Sequence, residues 1–200
     1  MKERLSADKR RQQIVEAAVE LFSRKGFRGT RTREIAEAAG ISEAMIYRHF
    51  ATKRELYSAI IEAKSATEEL LASAATAAQE KDDAGVLRAV GLKMIEQTVR
   101  EPSLMRLLLF SALEGHELSE IFFESRVKRL HQFLSRYIRR RIKEGRFRSI
   151  DALVAARGFI GMIVHYLLIH ELFGVKRPRR SSPEEVVELF VSVFLKGIER

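Results

Sequence analysis

The side chains best equipped for chemistry crowd between Thr32 and Lys53, and they are cations and hydrogen-bonding groups rather than nucleophiles or metal ligands. With Ile46 taken as facing inward, Ala44, Met45, Tyr47 and Arg48 point outward from one short helix. A tyrosine and a methionine beside an arginine are odd decoration for a solvated face. They suit a helix lying in a DNA major groove, where base edges and thymine methyls are exposed. The competing reading is an ordinary helical hairpin in a bundle, and the polar face speaks against it.

Other chemistries find less support. The chain has no cysteine, which excludes a disulfide framework, a thiolate metal site and a cysteine nucleophile. It has no glycine-rich phosphate loop and no histidine pair at i, i+4. His165 and His170 are five apart, which splays them on a helix, and no obvious carboxylate completes a site. The sequence therefore reads as a non-enzyme with no cofactor and no metal.

Charge is unevenly placed. The net charge is +9, with 13 Lys/Arg against 8 Asp/Glu in residues 1–57 and 10 against 1 in residues 126–148. The remainder carries 13 against 18 and is acidic. Two basic segments on an acidic background imply an anionic partner such as nucleic acid, or else solvated basic faces. The charged first eleven residues lack a signal-peptide pattern. The longest apolar stretch, Phe159 to Ile169, is interrupted by His165 and is well short of the ~20 residues a span requires. These features predict a cytoplasmic protein with no membrane partner.

The elements that hold these groups read as helices throughout, about nine of them. The first starts at Ser6 or Asp8, carries an apolar stripe of Ile14, Ala17, Ala18, Leu21 and Phe22, and stops at Gly26. Two short helices follow, near 32–39 and 42–49, broken at Gly40. Thr52-Lys53-Arg54-Glu55 has the form of a capping box opening a long fourth helix that extends towards Glu80. Further helices are predicted over 84–100, 103–113, 118–144 and 151–173. Ser182-Pro183-Glu184-Glu185 starts the last one.

Within residues 32–50, Ala36 is small enough for a close helix crossing, Gly40 permits a positive-φ turn, and Ile46 faces back. Ile35, Ala39, Ile41 and Phe50 complete a small core. The string Thr32-Arg33-Glu34-Ile35-Ala36-Glu37-Ala38-Ala39-Gly40-Ile41-Ser42, then Ile46-Tyr47-Arg48-His49-Phe50 and Thr52-Lys53-Arg54-Glu55-Leu56, resembles the N-terminal domain of TetR-family repressors over about residues 10–60.

The resemblance implies an all-α fold: a three-helix helix-turn-helix domain in residues 1–52, joined by a long helix to an effector-binding and dimerisation domain in residues 53–200. It implies a homodimer on a double-stranded DNA operator, most often a repressor, released by a small-molecule effector. By the same resemblance Tyr47, His49 and Lys53 touch phosphates, Thr32 stands at its helix start, and Arg33 with Ser42, Glu43, Ala44 and Met45 face bases. The chemistry is compatible with those roles. Arg33 suits guanine, Glu43 a cytosine amine, and Ala44 and Met45 thymine methyls. Arg48 joins this outward face, while His49 divides between core packing and phosphate contact.

For the larger domain, Phe159, Ile163, Leu167, Val187, Phe190, Val191, Phe194, Leu195 and Ile198 are the expected two-fold interface of a four-helix bundle. Gly158 and Gly161 would admit a neighbouring helix. The alternative is one oversized monomer core. The resemblance also implies a largely apolar effector pocket, for which the candidates are Met94, Met105, Leu109, Phe110, Leu130, His131, Phe133, Phe159, Met162, His165 and Tyr166. The basic helix, with Arg126, Arg129, Arg136, Arg140 and Lys143 on one face, leaves three readings open: a solvated face, an auxiliary DNA contact, or a site for an effector's anionic tail. A membrane-surface or protein-interaction module built on that helix is the alternative function, and it would leave the helix-turn-helix pattern unexplained.

Overall fold

The computed structural model describes residues 6–64, 67–176 and 182–200, with the side chains of 64, 116–118, 125 and 126 outside that description. Arg126 of the basic face therefore lies outside the described side chains. Among the described residues the chain is helical, with one isolated antiparallel bridge between Phe147 and Glu199.

The helices are α1 (Ala7–Lys25), α2 (Thr32–Ala38), α3 (Glu43–His49), α4 (Lys53–Lys64), α5 (Thr67–Glu80), α6 (Asp83–Arg100), α7 (Ser103–Glu114), α8 (His116–Phe122), α9 (Lys128–Lys143), α10 (Ala152–Leu167) and α11 (Pro183–Ile198). One-turn π-helical segments at Phe123–Val127 and Leu168–Leu172 precede α9 and follow α10. Eleven α-helical stretches are present among the described residues, against about nine expected, and the helix expected from Thr52 to Glu80 is described as α4 and α5 on either side of residues 65 and 66, which lie outside the description. The helix expected over 118–144 is broken by the first π segment, whose wider turn interrupts the i→i+4 ladder.

Local signals explain most helix ends. The Ser6 hydroxyl accepts from the Lys9 amide, Asp82 from Gly85, and Asp151 from both Leu153 and Val154. At α11 the Ser182 hydroxyl accepts from the Glu185 amide while the Glu185 carboxylate accepts from the Ser182 amide, with Pro183 at the first helical position. Ser182→Ala is expected to cost about 1 kcal/mol of stability, the usual value of such a cap, as read by urea denaturation.

Packing divides the chain into two compact units: Met1–Ser65 with Ser103–Ser125, and Ala66–Pro102 with Arg126–Arg200. In the first, Ile14, Phe22, Ile35, Ile46, Phe50, Leu56 and Ile60 are almost fully buried and α1 packs on α2, α4 and α7. The α1 stripe is rotated from the expected one. Ile14, Val15, Ala18, Val19 and Phe22 are buried while Ala17 and Leu21 are half-exposed, because α2, α4 and α7 together cover more than one face.

The core of the second unit joins Val86 and Val90 of α6, Leu134 and Ile138 of α9, Phe159 and Ile163 of α10, and Val187 and Val191 of α11. Helices α6 and α11 approach closely at Gly91, where an added Cβ would lie 2.9 Å from a Val187 methyl. A buried charge network also ties this unit together. Asp83 accepts from Tyr137 Oη at 2.6 Å and from Arg141 Nε and Nη2 at 2.7 and 3.0 Å. Arg141 also pairs with Glu144, and Arg146 bridges Asp83 and Glu199. Asp83 and Arg141 are each over nine-tenths buried.

By length and composition Ala152–Leu172 is apolar enough to cross a membrane, although the uninterrupted apolar run within it is short. In the chain it is a core helix on one side, with Phe159, Ile163 and Leu167 buried, and it carries Arg157 on the other.

Candidate nucleic-acid interface and effector residues

The three N-terminal helices have the geometry the sequence requires of a helix-turn-helix. Ile35, Ala36 and Ala39 of the α2 region meet Ile46 and Phe50, all at most 3% exposed. Gly40 makes the turn with φ 61°, a conformation costly for a residue with Cβ, and the Ile41 amide closes it by donating to Ala36 O. The Gln13 side chain of α1 donates to Ala39 O at 2.8 Å, pinning the turn from behind. Sequence reasoning missed Gln13, because its partner lies 26 residues away and no local pattern marks it.

On the outer side, Ser42, Glu43, Ala44, Tyr47 and Arg48 are exposed, and Met45 and His49 are half-buried. Tyr47 is 48% exposed, and its hydroxyl lies 3.1 Å from Thr32 Oγ1 at the start of α2. Two expected backbone-contacting residues from different helices are thereby held side by side. The Ser42 hydroxyl makes no capping bond to α3. Arg33 lies on the surface, paired with Glu37 one turn on at 2.9 Å. An exposed pair of this kind is weak and leaves the guanidinium accessible.

Lys53 is placed differently from the rest. Its ammonium donates to Phe27 O and stands 4.2 Å from the centre of the Phe27 ring, a cation–π contact. Burial pushes its pKa below the usual lysine range, against the pull of Glu114 and Glu34. The α4 start departs slightly from the expected capping box. Thr52 Oγ1 accepts from the Glu55 amide, but the Glu55 carboxylate accepts from Ala51, one residue before the cap.

The turn between α1 and α2 is tightly filled. Gly26 has φ 72°, and an added Cβ would fall 2.0 Å from Glu114 Oε1 and 2.9 Å from Phe110 Cδ1. Gly26→Ala is expected to lower stability by at least ~1–3 kcal/mol from the positive-φ, extended backbone that is nearly confined to glycine, with the crowding added. A thermal midpoint equal to that of the wild type would contradict this packing.

The eleven effector candidates divide between the units. Met105, Leu109 and Phe110 are on α7 in the first unit, and Met94, Leu130, His131, Phe133, Phe159, Met162, His165 and Tyr166 are in the second. Phe159 is fully buried and stacks on Phe194 at 5.3 Å, which fits core packing. His165 is exposed on the outer side of α10, so it does not face the core of its unit. Tyr166 packs against His170 and Phe190, and its buried hydroxyl has no hydrogen-bond partner among the described residues. Burial, then the positive charge of Arg157, push the His131 imidazole below the usual histidine range and favour its neutral form.

The residues expected at a dimer interface differ in how far their own chain covers them. Phe159, Ile163, Leu167, Val187, Val191 and Ile198 are each at most 6% exposed within a single chain, consumed by the contacts of α10 and α11 with their own unit. Phe190, Phe194 and Leu195 are half-buried. The apolar surface left outward is Val154, Leu189 and Val193, at 63%, 61% and 56% exposure, beside Gly158 and Gly161, which face open space. On the basic helix, Arg129 pairs with Glu68 and Arg140 reaches Ala78 O, while Arg136, Arg139 and Lys143 are exposed.

A DNA-binding helix-turn-helix followed by an all-helical domain defines a class of transcriptional regulators, and the comparisons agree. Residues 14–60 match "Bacterial regulatory proteins, tetR family" and residues 85–197 match "AefR-like transcriptional repressor, C-terminal domain". The chain belongs to the TetR family of DNA-binding transcriptional regulators, whose members are not enzymes. It is 33% identical over 188 residues to the HTH-type transcriptional regulatory protein RaaS of Mycobacterium tuberculosis, covering 92% of this chain and 84% of the relative. It is 27% identical over 200 residues to the HTH-type transcriptional regulator AcrR of Shigella flexneri, covering 95% and 93%. The fold is shared with FadR from Bacillus subtilis, crystallised with stearoyl-CoA, at a TM-score of 0.74 and 19% identity over 94% of this chain and 99% of that one.

Proposed function

We propose that this chain is a repressor that binds a palindromic operator as a homodimer and leaves it when a small molecule binds. The observation that carries the reading is the exposed surface of α3 with its neighbour at the start of α2. Tyr47 and Thr32 are hydrogen-bonded, Arg48 and Ser42 flank them, and Arg33 stands one residue on. Residues 1–52 are the DNA-binding part. Tyr47, Thr32, His49 and the unused donors of Lys53 take phosphates, while Arg33, Ser42, Glu43, Ala44 and Met45 face bases. Residues 53–200 serve dimerisation and effector binding in the cytoplasm. The outward apolar face of α10 and α11 supports the dimer, which two recognition helices need in order to reach major grooves ~34–36 Å apart.

The effector is a largely apolar molecule with a hydrogen-bonding group. The buried, unpartnered Tyr166 hydroxyl supports that polar feature, since satisfying such a group recovers about 1–3 kcal/mol. The stearoyl-CoA held by the Bacillus subtilis fold relative combines the same two features in one ligand.

Selection against random duplex DNA tests the reading. A two-fold symmetric site is expected, and a plot of log affinity against log salt concentration should fall with a steep slope. Tyr47→Phe and Arg48→Ala should each weaken the selected site about tenfold. A folded protein that enriches no duplex, with or without cell extract, would overturn the assignment.

A further inference from the structure

The α1–α2 turn is held by two opposite charges, and one of them belongs to a helix with no other part in the DNA-binding motif. The Glu114 carboxylate, on the last turn of α7, accepts from the Phe27 amide at 2.8 Å and from the Arg28 amide at 3.2 and 3.3 Å through its two oxygens. Lys53 of α4 donates to Phe27 O. The peptide unit linking Phe27 to Arg28 is therefore gripped at its N–H by an anion from α7 and at its C=O by a cation from α4. Hydrogen bonds of this charged kind are roughly twice as strong as neutral ones.

The grip is built into the local packing. Phe27 is enclosed by Phe22 and Tyr57, with ring centres 5.5 and 5.7 Å away. Tyr57 Oη donates to Leu107 O, also on α7, and burial pushes its hydroxyl up to about 12. Only a glycine at position 26 leaves room for the Glu114 carboxylate. Four residues after Arg28 the chain reaches Thr32 and enters α2.

We propose that Glu114 is a positioning residue for operator binding. By fixing the Phe27–Arg28 peptide it sets where α2 begins, and with it the Thr32–Tyr47 pair that faces the DNA backbone. This inference rests on the DNA-binding reading above.

The test uses the full-length protein with Glu114→Gln and Glu114→Ala and the operator selected for the wild type. Three quantities are read: operator affinity at several salt concentrations, the thermal midpoint, and hydrogen exchange at the Phe27 and Arg28 amides. Both amides are expected to exchange at least tenfold faster in Glu114→Ala. Operator affinity should fall tenfold or more in the folded protein, with the salt slope unchanged because no phosphate contact is removed. A residue that only stabilises the fold would lower the midpoint and leave the affinity of the folded protein intact. If Glu114→Ala does not fold, Glu114→Gln, which keeps the volume and one acceptor oxygen, carries the measurement. Unchanged amide exchange, or faster exchange with wild-type operator affinity, overturns the proposal while leaving the DNA-binding reading standing. A wild type that enriches no duplex overturns both.

Discussion

Replacing Asp83 by alanine is expected to destabilise the protein by about 3–5 kcal/mol, because it strands the Arg141 guanidinium in the interior without its main partner. Asp83 is 8% exposed and receives hydrogen bonds from Tyr137, Arg141 and Arg146, so its loss touches α6, α9 and the loop after α9 together. Urea denaturation of the variant against the wild type measures the effect. A loss below about 1 kcal/mol would mean that Glu144 alone satisfies Arg141. Replacing both partners by apolar residues of similar volume, Asp83→Leu with Arg141→Met, should recover most of the stability, since no buried charge is then left unpaired.

The same group makes a prediction about pH. Burial pushes the Asp83 carboxyl upward, but the hydrogen bonds from Arg141 and Tyr137 and the charge of Arg141 outweigh it and hold the pKa below the usual aspartate range. A depressed carboxyl binds fewer protons folded than unfolded. Its contribution is therefore complete above about pH 4 and is lost as the pH falls below that. Glu144 and Glu188 are shifted the same way, through Lys81 and Arg141 and through Arg88 respectively. The difference between the stability curves of wild type and Asp83→Asn isolates the Asp83 part. That difference should shrink on acidification, and a constant difference would contradict the network.

Val193→Asp is the second large effect. If α10 and α11 meet their copies through Val154, Leu189, Val193 and the two open glycines, a two-fold axis buries two substituted carboxylates, one from each protomer. The expected result is a loss of at least a thousandfold in dimer affinity, about 4 kcal/mol, with helix content retained. Sedimentation of the variant should show a monomer at concentrations where the wild type is a dimer, with operator affinity falling alongside. A dimeric Val193→Asp would move the interface elsewhere. The corresponding change at buried Val187 should unfold the chain rather than split the dimer.

What the sequence made legible follows from how far each signal reaches along the chain. The caps at Ser6 and Ser182, the turn at Gly40 and the small core of Ile35, Ala36, Ile46 and Phe50 are written in neighbouring residues, and the structure places them as expected. The Asp83–Arg141 and Glu114–Phe27 contacts join residues 58 and 87 positions apart, and no local pattern marks either. The outward face of α10 and α11 is hard to read from sequence for a different reason. Helices α10 and α11 are apolar nearly all round, so periodicity marks no single face. Only the packing of α6, α9, α10 and α11 within one unit shows that Phe159, Ile163 and Val187 point inward and Leu189 and Val193 outward. The break before α9 was equally hidden, since a π turn differs from an α turn by a single residue.

That outward apolar face has a consequence in mass action. If, as proposed, a second copy covers that surface, stability depends on how much protein is present, and the melting temperature should climb as the solution is made more concentrated. Assembly, folding of the second unit and occupancy of a two-fold operator then share one concentration scale. On the proposed function, the number of copies in a cell becomes a setting of the switch alongside the effector.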